Sequence, residues 1–153
     1  MIVEKATQRD VPQILKIRNK NIKYLMMKPE MSLRNAIKGG YGYCIRDEEN
    51  GNVICFCVIK PNKTFKMNKI HTLITDNEHQ GKGLATILLW EVTRRHRGET
   101  MLEAVDGAPN NFLYDKVCDF VRKIKRGSVT IKLYIVNKEK LNARYERMQE
   151  KGR

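Results

Sequence analysis

Apolar and polar positions alternate from Ile2 to Ala6, which predicts a first strand, with Thr7 to Asp10 as turn and helix cap. Asp10 before Val11-Pro12 is a helix opening, because proline suits the first helical turn. Val11, Ile14, Leu15 and Arg18 share one face, so this helix should run to about Asn19 or Asn21. Tyr24 to Met27 continues as an apolar segment. Ser32, Asn35 and Ala36 predict a second short helix ended by Gly39-Gly40. Tyr41 to Arg46 and Val53 to Lys60 read as antiparallel strands, and Asn50-Gly51 in their link is a hairpin signal. Pro61-Asn62-Lys63 is expected to turn the chain, and Lys66 or Met67 to open the next strand.

The centre of the chain is Ile70 to Val92. Ile70 to Thr75 is β-branched and apolar, like a half-buried strand. Asp76 to His79 is polar, and Gln80-Gly81-Lys82-Gly83-Leu84-Ala85 leads into a helix whose Leu84, Ile87, Leu88 and Val92 recur at helical spacing. Thr93 to Gly98 supplies cations and a glycine for the stop. Thr100 to Val105 predicts a strand. After Gly107-Ala108-Pro109 comes a short helix with Asn110, Asn111, Phe112 and Tyr114. Cys118 to Ile124 and Thr130 to Val136 predict two more strands, joined through Lys125 to Ser128. The tail from Lys138 is charged and helix-forming.

At 153 residues this reads as one domain, 1–153, with 138–153 as a helical extension. Hydrophobic residues make up 41% and charged residues 31%, which fits a globular chain rather than a disordered one. No apolar run approaches the roughly 20 residues of a membrane span. The N-terminus lacks the basic-then-apolar pattern of a signal peptide, so a cytoplasmic location and no membrane partner are expected. The four cysteines match no zinc spacing. Cys55 and Cys57 should share one strand face, where small apolar fillers are favoured over a metal site helped by His71, so no metal is expected. Thirty basic residues against 17 acidic give a net charge of +13, a field that attracts polyanions such as DNA or RNA.

A strand, a glycine turn and a helix start together form an anion site: glycines allow close approach, and first-turn amides point outward with the positive end of the dipole. Lys82 adds a charge there. The loop fits neither G-x-x-x-x-G-K-[ST] nor G-x-G-x-x-G. It does fit Q/R-x-x-G-x-G/A through Gln80, Gly83 and Ala85, and the run Leu73 to Ala85 resembles the acetyl-CoA motif of the GNAT superfamily of N-acyltransferases. The resemblance implies an α/β (α+β) fold with a mixed, mostly antiparallel central sheet flanked by helices, here with the C-terminal helix added. It implies acetyl-CoA as acyl donor. Leu73, Ile74 and Thr75 would meet the pantetheine arm, and Gln80, Gly81, Lys82, Gly83, Leu84 and Ala85 the diphosphate, with Asn111 as a further cofactor contact. It also makes the early helical region, with Tyr24, Met26 and Met27, a candidate acceptor pocket. The cations of Thr93 to Gly98 read first as a helix end and second as a contact for the adenosine phosphate.

Acetyl transfer to an amine needs a neutral amine, a stabilised oxyanion and a proton for the leaving thiolate. In the family that proton commonly comes from a tyrosine after the fifth strand, and Phe112 to Phe120 resembles the end of that motif with Tyr114 in place. Cys118 stands where a glycine is usual. A tyrosine's ordinary pKa near 10 suits the task. Where some members carry a glutamate base this chain has Lys69, leaving His71, Glu103 and Asp106 as substitutes. The expected activity is N-acetyl transfer by direct attack on an amine-bearing substrate of unknown size. The alternatives are a phage-type DNA-base-modifying enzyme of the same fold, or a degenerate basic binding module. The oligomeric state is open, a dimer included.

Overall fold

The computed structural model describes residues 1–21 and 30–151; Tyr24, Met26 and Met27 lie outside them. In chain order the elements are β1 (Val3–Lys5), α1 (Val11–Lys20), α2 (Glu30–Lys38), β2 (Gly42–Arg46), β3 (Val53–Asn62), β4 (Met67–Thr75), α3 (Leu84–Arg95), β5 (Thr100–Val105), α4 (Asn111–Val117), β6 (Cys118–Arg126), β7 (Val129–Val136) and α5 (Lys138–Lys151). The strands form a seven-stranded sheet in the order β1-β2-β3-β4-β5-β7-β6. Neighbours are antiparallel except β4 and β5, which are parallel because α3 carries the chain back between them. The architecture is the mixed, mostly antiparallel one expected.

Each face of the sheet buries its own core. On one, Ile59, Leu73 and Leu102 pack under α3, α4 and α5 with Leu88, Val117 and Leu141. On the other, Phe56, Val58 and Ile74 pack under α1 and α2 with Ile14 and Ala36. Period-two alternation along β3 and β4 is what feeds two cores from one sheet.

Two local expectations change and one holds. Asp10 does not cap α1 with its side chain; it accepts from the Thr7 amide at 2.8 Å and takes the Arg46 guanidinium in a two-pronged pair at 2.7 and 2.8 Å. A strong bidentate cation outcompetes a neutral cap for the carboxylate. Pro61 and Asn62 extend β3, and the turn falls at 63–66. Pro61 is tolerated because β2 ends opposite Val58, so β3 beyond it has no strand on that edge. The Asn62 side chain then accepts from the Thr64 and Phe65 amides and closes the turn. The basic end of α3 sits a helix length, about 18 Å, from the glycine loop. There Arg94 stacks on Trp90 and Arg95 donates to the Val3 carbonyl, as the first reading of these cations as a helix end has it.

Candidate active site

β4 and β5 pair only from Asn68 to Ile70 and from Thr100 to Leu102. Beyond that they part. A bulge helps: Val58 faces Thr72 while Ile59 faces Ile70, which leaves His71 as the extra residue and turns β4 away from β5. From Thr72 to Thr75, β4 stays paired with β3 alone. The Asp76 amide donates to the Ile54 carbonyl at 2.8 Å, which makes Thr75 and Leu73 the non-hydrogen-bonded residues of that ladder. Their backbone N–H and C=O groups therefore face the opening gap.

Asn110 spans that gap. Its side-chain amide donates to the Leu73 carbonyl at 2.8 Å and to the Tyr114 hydroxyl at 3.3 Å. Burial pushes the Tyr114 phenol well above the ordinary tyrosine value, with the nearby Cys57 thiol adding to the effect and the Asn110 hydrogen bond opposing it. Tyr114 is therefore a neutral hydroxyl, held at the gap with its proton. A network behind it fixes α4: the Tyr134 hydroxyl donates to Asp115 at 2.8 Å and contacts Asn111 at 3.3 Å. Asn111, expected at the cofactor, has its amide committed to the Val105 and Ala108 carbonyls at 2.7 and 3.0 Å. It closes the turn that presents Asn110 and Tyr114. Asn110, Asp115 and Tyr134 were not singled out from sequence, although Asn110 lies one helical turn before Tyr114, at the i, i+4 spacing that brings side chains together.

The glycine loop follows at the C-terminal end of β4. A short 3-10 turn, Asn77–His79, is tied down where His79 meets Asp76 at 3.1 Å and Asp47 at 3.3 Å. Gln80 donates to Asn77 at 3.2 Å and lines the cavity described below. Gly81 and Gly83 both have left-handed backbones, φ +80° and +81°, with Lys82 exposed between them. The first intrahelical bond of α3 is from the Ile87 amide to the Gly83 carbonyl. Among the described residues, the amides of Gly83, Leu84, Ala85 and Thr86 reach no acceptor, so four donors stand open at the positive end of the helix. A side chain on Gly83 would collide with the Met148 methyl, which places the end of α5 against this loop.

A cavity of about 430 Å³ runs through the gap. It brings together His71, Leu73, Ile74, Thr75, Gln80, Glu103 and Tyr114 from the expected set. On the α1/α2 side it is lined by Ile14, Arg18, Leu33, Phe56 and Lys60. Glu103 is almost wholly buried and clamped: Arg126 reaches it at 2.6 Å and Lys69 at 3.4 Å. Burial opposes its ionisation, yet those two cations hold the carboxyl below the usual range. The buried thiols are inert, with Cys55 pushed up to about 12 by burial and Cys57 raised likewise. Among the described residues no group of His, Cys, Asp or Glu is placed to hold a metal ion. No helix among them is long and apolar enough to cross a membrane.

Residues 12–120 match the family described as acetyltransferase (GNAT) family. No curated protein matches the chain. Among solved structures, a GNAT-family acetyltransferase from Bacillus cereus is similar at a TM-score of 0.72 and 12% identity, over 90% of this chain and 96% of that one. A ribosomal-protein-alanine N-acetyltransferase from Brucella melitensis is similar at 0.69 and 14%, over 88% and 98%. N-acetylglutamate synthase from Neisseria gonorrhoeae, solved with coenzyme A and N-acetyl-glutamate, is similar at 0.70 and 12% over 88% of this chain. This chain spans about a third (35%) of that protein's length. At such identities the likeness is one of fold.

Proposed function

This chain belongs to the acetyltransferase (GNAT) family, and we propose that it moves the acetyl group of acetyl-CoA to a primary amine by direct attack in a ternary complex. The observation that carries this is the run of four open amides from Gly83 to Thr86, one strand-end away from a gap lined by outward-facing backbone. Such a site suits a diphosphate followed by an extended amide-bearing arm. Gly81 to Ala85 with Lys82 would hold the diphosphate, and Leu73 and Thr75 the pantetheine.

In this reading acetyl-CoA supplies an activated thioester, and the chain's own residues do the rest. The Leu73 N–H faces the gap and donates to the thioester oxygen as negative charge develops on it. The amine nitrogen forms the new C–N bond while the C–S bond breaks. Tyr114 gives its proton to the departing sulfur, and the amine's surplus proton passes to water. The phenol is restored from solvent. Direct attack is favoured over an acyl-enzyme because the thiols near the gap are buried and protonated.

The charge excess supports a second reading, a polyanion surface. Strand β6 lies at the sheet edge and exposes Arg122 and Lys125 beside Phe120 and Val121. Affinity for an oligonucleotide that falls steeply with salt would support it. The catalytically degenerate alternative loses ground to the Asn110–Tyr114 arrangement.

Thermal unfolding with and without CoA tests the main reading. At 100 times its dissociation constant, CoA should add about 2.7 kcal/mol of stability, a melting shift of roughly 5 °C or more for a domain of this size. No shift at millimolar CoA would remove the transferase assignment.

A further inference from the structure

The glycine loop is held from outside at few points. β4 ends at Thr75, and among the described residues the stretch from Asp76 to Gly83 has no strand beside it. Most of its hydrogen bonds stay within it: the His79 amide donates to the Asp76 carbonyl at 2.9 Å, and the Gln80 side chain to Asn77 at 3.2 Å. Among the described residues, three polar ties reach beyond the stretch and its flanking β4 and α3. The Asp76 amide donates to the Ile54 carbonyl, the Asp76 carboxylate meets Lys20 at 3.6 Å, and the His79 ring meets Asp47 at 3.3 Å. The first lies at the strand end, and the second is long, with its lysine half exposed. The third takes hold beside the glycines, two residues before Gly81.

The other nitrogen of the ring faces Asp76 at 3.1 Å, so His79 reaches from its own turn to the link between β2 and β3. Asp47 is a fixed post. Its amide donates to the Asn52 carbonyl at 2.7 Å, its carbonyl accepts from the Gly51 amide at 2.8 Å, and its carboxylate accepts from the Glu49 amide at 2.8 Å. The Glu49 amide, and after it the His79 ring, hold that carboxyl below its usual range against the cost of burial. Both side chains are largely covered, at 21% and 18% exposed.

Resting on the acetyl-transfer reading, we propose that His79, braced on Asp47, is a positioning residue for the cofactor's diphosphate, fixing the loop in its binding shape before the ligand arrives. Gly81 and Gly83 give the loop many shapes to lose, and ordering them on binding would weaken affinity. A loop ordered in advance avoids that loss. The ring faces Asp76 and Asp47, so it acts through Gln80 and the glycines that follow it. The amides of Gly83 to Thr86 converge on an anion when the turn before them is held in register.

The test is calorimetric binding of CoA, with pantetheine, which lacks the diphosphate, as the contrasting probe followed by NMR. An asparagine amide falls near the place of Nδ1 and a glutamine amide near that of Nε2, so His79→Asn keeps the Asp76 contact alone and His79→Gln keeps the one to Asp47. Asp47→Ser removes the post from the other side and leaves an oxygen for the Glu49 amide. His79→Asn and Asp47→Ser should each weaken CoA binding about tenfold, the size of one hydrogen bond to a charged group. The double variant should be no weaker than either. His79→Gln should stay within about threefold of the parent. Pantetheine affinity should change by less than about twofold throughout, whereas a general loss of structure would lower both ligands alike. Amide hydrogen exchange over 80–86 in the unliganded protein should quicken in the two weakened variants. Parent-like CoA binding in both of them, an equal loss of pantetheine, unchanged exchange, or a His79→Gln no better than His79→Asn would overturn the proposal. Failure of the parent to bind CoA would instead strike the acetyl-transfer reading, and the two failures are distinct.

Discussion

The two ends of the cavity are built by different means. The donor end comes from thirteen consecutive residues, Leu73 to Ala85, and works through backbone amides and carbonyls. The acceptor end takes Arg18 from α1, Leu33 from α2, Lys60 from β3 and Glu103 from β5, and works through side chains. A backbone device depends on local conformation, so its sequence is constrained to glycines at fixed spacing. A side-chain chamber depends on which elements the topology brings together, and its members share no spacing at all. The first kind of site tolerates almost no change of shape. The second can change its guest by exchanging one charge.

Breaking the donor end should give the largest effect. Gly83→Asp forces a β-carbon into a left-handed backbone, at roughly 1–2 kcal/mol, and drives it into Met148. It also sets a carboxylate beside the diphosphate. CoA affinity should fall by more than about 100-fold, some 2.7 kcal/mol, measured by calorimetry. Gly81→Ala is the control. Its backbone is equally left-handed, yet no atom lies within 4 Å of the added carbon. It should lower the melting temperature by about 2–6 °C and keep CoA binding within a few-fold. If both variants behave alike, the loop acts through its conformation and not through space beside Gly83.

This division also decides what was legible in the sequence. The strands and helices came through because two-sided burial makes β3 a continuous apolar run from Val53 to Ile59, too short for a helix of that kind, and Asn50-Gly51 and Gly39-Gly40 punctuate the chain around it. The glycine loop came through because its chemistry is contiguous. Asn111 was picked as a cofactor contact and Asn110 passed over, since adjacent asparagines differ only in which way the turn after β5 points them. The helical register of Tyr114 with Asn110 was the available clue. Asp10 read as a helix cap because its bidentate partner, Arg46, is 36 residues away. Arg18 was read as part of a helix face, with nothing local to place Lys60 in the same cavity.

Tyr114→Phe sharpens the comparison from the other side, by removing chemistry while leaving both binding ends in place. Turnover should fall about 100-fold, in the range of a lost general acid, with the CoA dissociation constant unchanged. The pH profile carries a sign. Because burial raises the Tyr114 pKa, the phenol keeps its proton where an exposed tyrosine would lose it. The rate should therefore rise as the amine deprotonates and show no decline up to about pH 10 from this residue. A falling limb near pH 8 would point to another acid. Asn110→Ala should cost less, about tenfold in turnover, since it removes the positioning of Tyr114 and the tie to Leu73 but not the proton itself.

Glu103→Gln should do least to catalysis, and that is its use. Glu103 lies in the acceptor end and is the carboxylate that a search for a base would choose. Its geometry argues for a clamp: two cations hold it, and its depressed pKa makes it a weak proton acceptor. Turnover should stay within about threefold of the parent, below the range of a lost general base. Stability should change instead. A carboxylate with a lowered folded-state pKa stabilises the fold above its unfolded value, near 4.3, and loses that contribution as pH falls through the folded value. The variant should thus be less stable than the parent by about 1 kcal/mol at pH 7, and the gap should close on titration toward pH 3. Melting curves at the two pH values measure it. A 100-fold loss of turnover, with the acid limb of the rate profile abolished, would make Glu103 the base.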